Sequence, residues 1–519
     1  MLGKTSKAYL IYLGILSAAG GIAVYLATSK QGPGVSTDAA MMLATAENLV
    51  KGHGLVDYRG VELTQFPPLY SIILALGSIV FHQEVFAVAW GFHIILFAAV
   101  VWFSGLCFAE ALAEEPMLAY MAAFVICSST SLITIFSNVA SDPLFLLLVL
   151  FFLMSMAAYL RSHSIRPLIL AAVLALVACF ERYAGLSLVI AGALIVAYES
   201  RHDLRKLLLR TPIFTVLTGA PIVLWGTLHN APVNGTVFGG RLPAVPTLNF
   251  LTGLEKVLYW FIPLRIVSFV GPLLLSALIL GVLILALLAL RVKGVFQRLR
   301  SPEVLPHVVF LSVYAAVLVF DISYYELKGI NTDRVHVILL PSLLVVMLVV
   351  GARLLGAAKA RIGTRLTYGA ALVLFLVWTS FPITKTYDYV RHSMASGEAS
   401  SYNSINKGDI RSSPLALYLM SLDLHGKEVY TNGSDSAWFI LHTQIDPVLL
   451  IKSGDRTTFL AQQAGHWPGA GEDGYIVWFN SEAYKQTYAT PEELSSIAVL
   501  NKIYSDDEGS IYTVSTRQP

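Results

Sequence analysis

The residues best suited to chemistry in this chain lie between its first two hydrophobic segments. The stretch from Ser36 to Gly54 has a helix start, an apolar stripe and a glycine stop, and Asp38 falls in its first turn. A carboxylate placed there can accept the proton of a hydroxyl group, which is the role of a general base. It can equally stabilise the helix N-terminus through the helix dipole. Spacing alone leaves both interpretations of Asp38 open.

Charged residues at the ends of hydrophobic segments form a second group. Arg182 ends one segment, and Asp333 and Arg334 precede another. A guanidinium group binds phosphate in a bidentate manner, so both arginines are candidates for an anionic ligand. The alternatives are a local pair between Arg182 and Glu181, or side chains that reach the membrane interface. Asp142 precedes a proline, which is typical of a helix start and gives that acid a capping alternative.

Weaker candidates lie in loops. His53, Asp57 and Glu62 carry groups that bind divalent cations, although their spacing is not diagnostic and neighbouring glycines indicate a solvated turn. Glu47 is a further acid of the first loop, and Arg241 in a glycine-rich turn is a further candidate for phosphate. A divalent metal therefore remains open, and no cofactor is required by any motif.

The elements that position these residues are membrane helices, as the composition indicates. Of 519 residues, 56% are hydrophobic and 13% are charged, far from the balance of soluble proteins. The formal net charge is +2, so no basic surface predicts a nucleic-acid partner. The three cysteines lie inside apolar runs and predict neither a disulfide framework nor a zinc site.

About twelve apolar windows are long enough to approach the thickness of the hydrocarbon core. They lie at 8–28, 67–82, 85–110, 117–136, 142–160, 167–181, 183–199, 211–228, 267–291, 305–321, 335–352 and 366–382. Basic residues concentrate in the connectors at 201–210, 291–300 and 353–365, which predicts that these connectors are cytoplasmic. Twelve full crossings would conflict with that orientation. We therefore expect about eleven crossings, with 67–82 or the segments flanking Asp142 as the exception.

A change in composition near residue 382 divides the chain into two domains. Residues 1–382 form the predicted multi-span domain, whose first external loop is 29–66. Residues 383–519 hold 16 acidic and 10 basic residues, a net charge of −6, and predict an extracytoplasmic α/β domain. Its predicted strands are 427–431, 475–479 and 510–514, and its predicted helix is 434–442.

Several short motifs follow one another in order along residues 1–382. They are Asp38 with Ala46-Glu47-Asn48-Leu49-Val50-Lys51-Gly52, Phe66-Pro67-Pro68-Leu69-Tyr70, Ser141-Asp142-Pro143-Leu144, Arg182-Tyr183-Ala184-Gly185-Leu186, and Asp333-Arg334 with Leu339-Leu340-Pro341. This series resembles the GT-C glycosyltransferases, above all the branch with the protein O-mannosyltransferases and the lipid A aminoarabinose transferases. The resemblance depends on the order of the motifs more than on any one of them.

The resemblance implies a GT-C fold and a hexosyl or pentosyl transfer from a polyprenyl-phosphate-linked sugar to a lipid, glycan or protein hydroxyl. Transfer would occur with inversion on the extracytoplasmic side of a plasma or inner membrane, with Asp38 as base. Arg182, Arg334, Tyr183, Asp333 and Asp142 would contribute to the donor site. We expect a cavity with Asp38 on one side and arginine on the other.

The chain departs from the family pattern at two places. Ala39 follows Asp38 where family members often have Glu, and Gln65-Phe66 stands where aminoarabinose transferases often have Glu-Lys. Specificity for aminoarabinose and lipid A is therefore not implied. Three alternatives remain: a ligase for lipid-linked oligosaccharides, a flippase or secondary transporter, and a sensor with a ligand-binding tail. A transporter would carry buried charges within its spans, whereas the ionisable residues here lie mainly at span ends.

Overall fold

The computed structural model describes two compact units. The helical unit comprises Met1–Ser29, Thr64–Tyr70 and Ala89–Ala395, and the mixed unit comprises Lys30–Leu63, Ser71–Val88 and Ser396–Pro519. Within them the structure describes residues 6–239, 257, 260, 294–324, 334–397, 399, 405, 410–451, 455–469, 473–480 and 488–517. Most of the predicted first external loop, Lys30–Leu63, thus belongs to the same unit as the C-terminal residues.

Most of the described chain up to residue 396 is helical. The helices are α1 (Lys7–Ala27), α2 (Thr37–Val50), α3 (Leu69–Phe81), α4 (Val85–Ala111), α5 (Pro116–Cys127), α6 (Thr130–Phe136), α7 (Asp142–Ser162), α8 (Ile165–Glu181), α9 (Leu186–Ser200), α10 (Leu204–Trp225), α11 (Ala231–Asn234), α12 (Val295–Leu299), α13 (Leu305–Tyr324), α14 (Leu340–Ile362) and α15 (Thr364–Ser396). Short 3₁₀ turns at Tyr183–Gly185 and Val337–Leu339 precede α9 and α14. Seven helical spans in the described residues are long and apolar enough to cross a membrane, or eight with the bent pair α5 and α6. The protein is a polytopic helical membrane protein.

Two predicted segments differ from straight membrane spans. Helix α3 has 13 residues, about 20 Å at 1.5 Å per residue, which is short of a ~30 Å core. The segment predicted at 117–136 consists of α5 and α6, bent by 46° at a break where Ser129 caps α6. The segment predicted at 366–382 continues as a helix to Ser396. The segment predicted at 267–291 lies outside the described residues.

Ion pairs join helix ends in the helical unit. Glu110 near the end of α4 accepts a hydrogen bond from Arg161 near the end of α7 at 3.0 Å. Arg298 pairs with Glu303 at 3.8 Å and donates to the carbonyl of Ala111 at 2.9 Å. Glu110 is therefore paired with a basic residue near a helix end.

The C-terminal residues form a five-stranded mixed sheet with short helices. After α16 (Pro414–Met420) come β1 (Glu428–Thr431), α17 (Ser434–Leu441), β2 (Asp446–Pro447), α18 (Arg456–Gln463), β3 (Asp473–Phe479), α19 (Pro491–Leu494), β4 (Ala498–Ser505) and β5 (Gly509–Thr516). The strand order is β2-β1-β3-β5-β4. Strand β1 pairs in parallel with β2 and β3, and β5 pairs antiparallel with β3 and β4.

The predicted elements of this sheet are largely confirmed. Strands β1, β3 and β5 lie where strands were expected and are mostly buried, and α17 matches the expected helix. Their buried side chains, including Tyr430, Trp467, Ile476 and Trp478, pack into one apolar core. Strand β4 was not predicted, because its pattern of mostly half-exposed residues shows little apolar alternation. The unit is α/β as expected.

Acid should weaken one contact of this unit. Arg456 donates to both carboxylate oxygens of Glu493, at 2.9 and 2.7 Å, and holds the pKa of Glu493 below its ordinary value of 4.5. Since the folded pKa is the lower one, the stabilisation is complete above the ordinary pKa and is lost as pH falls through the folded pKa. The pair is a third exposed, so we expect it to contribute less than about 1 kcal/mol.

Thermal unfolding of the detergent-solubilised wild type and of Glu493→Gln checks this. At pH 7 the wild type should unfold at the higher temperature, and the gap should shrink on acidification to about pH 3, below the ordinary carboxyl pKa. A difference in melting temperature that does not change with pH would show that the carboxylate charge of Glu493 does not stabilise the unit.

Candidate functional site

Helix α2 forms where the sequence predicts it and carries Asp38 in its first turn. The Ser36 hydroxyl accepts a hydrogen bond from the amide of Ala39 at 3.3 Å, and the chain leaves the helix through Gly52 at a φ of 81°. Residues 39–46 are all buried, whereas Asp38 is half-buried. The prediction that only one face of this helix is buried is therefore wrong over these two turns, because side chains around the whole helix are buried there. Asp38 lies at the margin of this covered stretch.

Three charged side chains that the sequence left far apart meet in the helical unit. Asp142 begins α7, Arg182 lies between α8 and the following 3₁₀ turn, and Arg334 precedes α14. Oδ2 of Asp142 lies 2.7 Å from Nη1 of Arg182 and accepts a hydrogen bond from Nε of Arg334 at 2.5 Å. Asp142 is 1% exposed, against 16% and 25% for the arginine side chains. We name these three residues the arginine cluster.

The contacts of the arginine cluster do not support the two local alternatives from the sequence, which were helix capping by Asp142 and a pair between Arg182 and Glu181. Ser141, not Asp142, is the N-cap residue of α7 and makes no side-chain capping bond; instead, its hydroxyl accepts from Nη1 of Arg182 at 3.0 Å. Arg182 pairs with Asp142 and not with its neighbour Glu181. A buried carboxylate that accepts from two guanidinium groups fixes the orientation of both. Asp142 is thus the counter-ion that orders the arginines.

Part of the cluster remains available for a ligand. Within the residues that the structure describes, the contacts of Arg182 run from Nη1 alone, which leaves Nε and Nη2 as donors. Oδ1 of Asp142 and both carboxylate oxygens of Glu181 are buried and have no hydrogen-bond partner in the same described part of the chain. Glu181 is 1% exposed. Buried polar atoms without hydrogen-bond partners are rare in folded proteins, so these three carboxylate oxygens indicate a ligand or water nearby.

Tyr183 lies beside the cluster in sequence and is held by a network of its own. Its hydroxyl donates to the carbonyl of Thr64 at 3.0 Å and accepts from Nδ2 of Asn230 at 2.7 Å. Asn230 is buried at the end of a π turn, Gly226–Asn230, that continues α10, and such turns are frequent at functional sites. Gly239 has a φ of 71°, and a Cβ there would lie 2.7 Å from the carbonyl oxygen of Gln65. The network therefore ties the chain after α10 to the segment before α3.

Two crystal structures of ArnT from Cupriavidus metallidurans, an aminoarabinose transferase, are similar to this chain. The apo structure aligns with a TM-score of 0.61 at 12% identity over 96% of this chain and 97% of that one. The structure bound to undecaprenyl phosphate aligns with the same score and identity over 98% of both chains. No protein-family model and no curated protein matches the sequence. This chain has the GT-C fold.

The double-proline motif of the GT-C fold leads into a buried hydrogen-bonded pair. The Tyr70 hydroxyl lies 2.7 Å from Nε2 of His93, whose Nδ1 lies 3.2 Å from the carbonyl of Phe136. Tyr70 and His93 are almost wholly buried. This chain of contacts joins α3, α4 and α6 through the His93 ring.

The remaining first-loop candidates have protein partners in this GT-C fold. Glu47 lies 2.8 Å from Nδ1 of His442, and Asp57 pairs with Arg59 at 2.5 Å. His53 lies 3.4 Å from Oδ1 of Asn48. Glu62 is exposed and forms an isolated bridge with Val56. No three acidic, histidine or cysteine side chains in the described chain converge as a metal group, so these acids are not brought together as a cation site.

Two predicted site residues, Arg241 and Asp333, lie outside the described residues. Sequence reasoning also passed over Glu181 as a candidate of its own, although an acid that ends an apolar segment next to an arginine is a signal for a buried charge. Ser141 and Asn230 carried no such signal, since their roles depend on side chains distant in sequence.

Proposed function

We propose that this protein is an integral membrane glycosyltransferase that moves a sugar from a polyprenyl-phosphate donor to a hydroxyl acceptor. The observation that carries the proposal is the arginine cluster: two guanidinium groups ordered by one buried carboxylate within a GT-C fold. Arginines with a shared counter-ion suit an anion with several oxygens, such as a phosphate ester. The similar ArnT structure bound to undecaprenyl phosphate supports a lipid phosphate as that anion.

In this mechanism Arg182 and Arg334 bind the donor phosphate, and Asp142 keeps both guanidinium groups in place. Charge builds up on the phosphate as the bond from the sugar to its oxygen breaks, and fixed cations stabilise that charge without reorganising. The lipid phosphate leaves with the electron pair of the broken bond. Tyr183, with Asp333 and Arg241, is proposed to contact the sugar or phosphate.

Asp38 is the proposed general base. It takes the proton of the acceptor hydroxyl as that oxygen forms the new bond to the anomeric carbon, from the face opposite the leaving phosphate, so that the configuration inverts. The half-buried position of Asp38 next to a buried helix core supports this role, because a base must be both reachable and rigidly mounted. Glu47, Asp57 and Glu62 are weaker choices, because Asp38 is the acid in the first turn of α2.

Two other functions compete with this one. A lipid-linked oligosaccharide ligase would use the same lipid chemistry with a larger glycan. A flippase or transporter would move the lipid without breaking a bond. The buried charges of the arginine cluster lie at helix ends and not in mid-span, which favours the enzyme over the transporter.

Purified protein incubated with a panel of polyprenyl-phosphate sugars tests the proposal. The panel contains hexose and pentose donors, and the readout is sugar release or transfer together with the freed lipid phosphate. Turnover of one donor class is expected. Turnover only with lipid pyrophosphate oligosaccharides would favour the ligase, and lipid movement across vesicles without cleavage would favour the flippase.

The proposed active side is extracytoplasmic, and a labelling experiment checks the orientation. Asp507→Cys, in the exposed turn between β4 and β5, should react with an impermeant thiol reagent in intact cells. The matched control is Lys206→Cys in a basic connector, which should react only after lysis. The wild type gives the background from its three native cysteines. The reverse pattern would place the proposed base on the cytoplasmic side.

A further inference from the structure

A short hydrogen bond joins the N-terminal turn of α2 to the C-terminal part of the mixed unit. The hydroxyl of Thr37, which immediately precedes Asp38, donates to Oδ2 of Asp435 at 2.6 Å. Asp435 is 5% exposed, and its other oxygen accepts from the amide of Ser436 at 2.8 Å. A buried carboxylate with both oxygens engaged is a rigid anchor for the residue it holds.

The C-terminal end of α2 has a matching attachment. Oε1 of Glu47 lies 2.8 Å from Nδ1 of His442, and Nζ of Lys51 donates to the carbonyl of His442 at 3.2 Å. Arg411 contacts Nε2 of the same imidazole.

Both attachments come from the same short helix. Asp435 is in the first turn of α17 and His442 is its C-cap residue. The start of α2 meets the start of α17, and the end of α2 meets the end of α17, so the two helices run in the same direction. After α2, the ring of Tyr58 stacks on that of Trp438, with 6.3 Å between the ring centroids. The backbone carbonyl of Tyr58 accepts a hydrogen bond from the amide of Ile445 at 2.9 Å.

We propose that Asp435 is a positioning residue for Asp38, and that the C-terminal α/β region serves to hold the catalytic turn of α2 in register. The inference rests on the proposed function, in which Asp38 is the base. A misplacement of about 1 Å at a catalytic group can reduce rate by 10²-fold, and the Thr37–Asp435 bond is one residue from that group. Asparagine keeps the shape of the Asp435 side chain and one acceptor oxygen, so Asp435→Asn removes the charge of this anchor without opening a cavity.

The test uses both partners of the bond. Thr37→Val removes the hydroxyl at constant shape, Thr37→Ser restores it, and Asp435→Asn removes the carboxylate charge. We expect Thr37→Val and Asp435→Asn each to lower kcat about 10- to 100-fold with an unchanged KM for the donor. The double variant should be no slower than either single variant, because both remove the same interaction. Thr37→Ser should be near wild type.

The matched control is Asp423→Asn, an exposed acid whose carboxylate caps the amide of His425, and it should leave kcat unchanged. Melting temperatures of all variants are measured alongside. Wild-type transfer with normal kcat in Thr37→Val and Asp435→Asn would overturn the positioning role and leave the proposed function intact. Additive losses with a raised KM would also overturn it, as would losses that follow the melting temperatures. A wild type inactive with every donor would overturn the proposed function itself.

Discussion

Replacement of Asp38 by asparagine should lower turnover by roughly 10²–10⁴-fold, the usual contribution of a positioned proton acceptor. Asparagine preserves the shape of the side chain and keeps one acceptor oxygen, but it is not basic. Donor binding should persist, because it depends on the arginine cluster and on apolar contacts with the prenyl chain. Thermal stability should change little, since a first-turn acid contributes about 0.3–1 kcal/mol through the helix dipole.

The measurements are single-turnover rates and donor binding with the purified variant. Glu492→Gln is the control, because Glu492 is likewise a first-turn acid, in α19, but is exposed, and this variant should transfer sugar normally. Near-normal transfer by Asp38→Asn would return Asp38 to a role at the helix terminus. The search for the base would then move to Glu47, Asp57, Glu62 and Asp142.

Asp142→Asn should cause the largest loss of stability in the described chain, about 3 kcal/mol, at the lower end of what the loss of one partner of a buried ion pair costs. The variant leaves two guanidinium groups close together without their shared counter-ion. Asp203→Asn is the matched control, since Asp203 pairs with Lys206 at 3.0 Å on the surface and should unfold as the wild type does. Thermal unfolding in detergent measures both.

A second readout separates a purely structural cluster from a phosphate site. Added undecaprenyl phosphate should raise the melting temperature of Asp142→Asn more than that of the wild type, because the lipid phosphate supplies the missing negative charge. Arg182→Ala should lose most of that response. If Asp142→Asn melted like the wild type and ignored the lipid, the arginines would have another counter-ion and the proposed donor site would be wrong.

Local patterns predicted the elements that depend on local physics. Ser36, the apolar stripe behind it and Gly52 were enough to predict α2, and short runs of β-branched and aromatic residues between turn residues were enough for β1, β3 and β5. Strand β4 was not predicted, because a half-exposed strand shows no strong alternation of apolar and polar residues. The bend between α5 and α6 escaped because hydropathy alone does not distinguish one span from two short helices.

Local sequence patterns did not predict which side chains of the candidate site contact one another. Arg182 was expected to face a ligand or Glu181, and the structure pairs it with Asp142, 40 residues earlier. Arg334 reaches the same carboxylate across 192 positions. Spacing identified the residue types correctly, but the choice of partners depends on helix packing, which a single sequence does not encode in its periodicity.

The mixed unit is formed by segments that are far apart in the chain, and this has a consequence for biosynthesis. Thr37 and Glu47 meet partners that lie 398 and 395 positions later in the chain. At 5–20 residues per second, a ribosome needs roughly 20–80 s to make that stretch. During this interval the nascent α2 has no α17 to pack against, although residues 39–46 are buried in the finished protein. Helix α2 therefore acquires the contacts that the proposed function requires only after the C-terminal residues have been made.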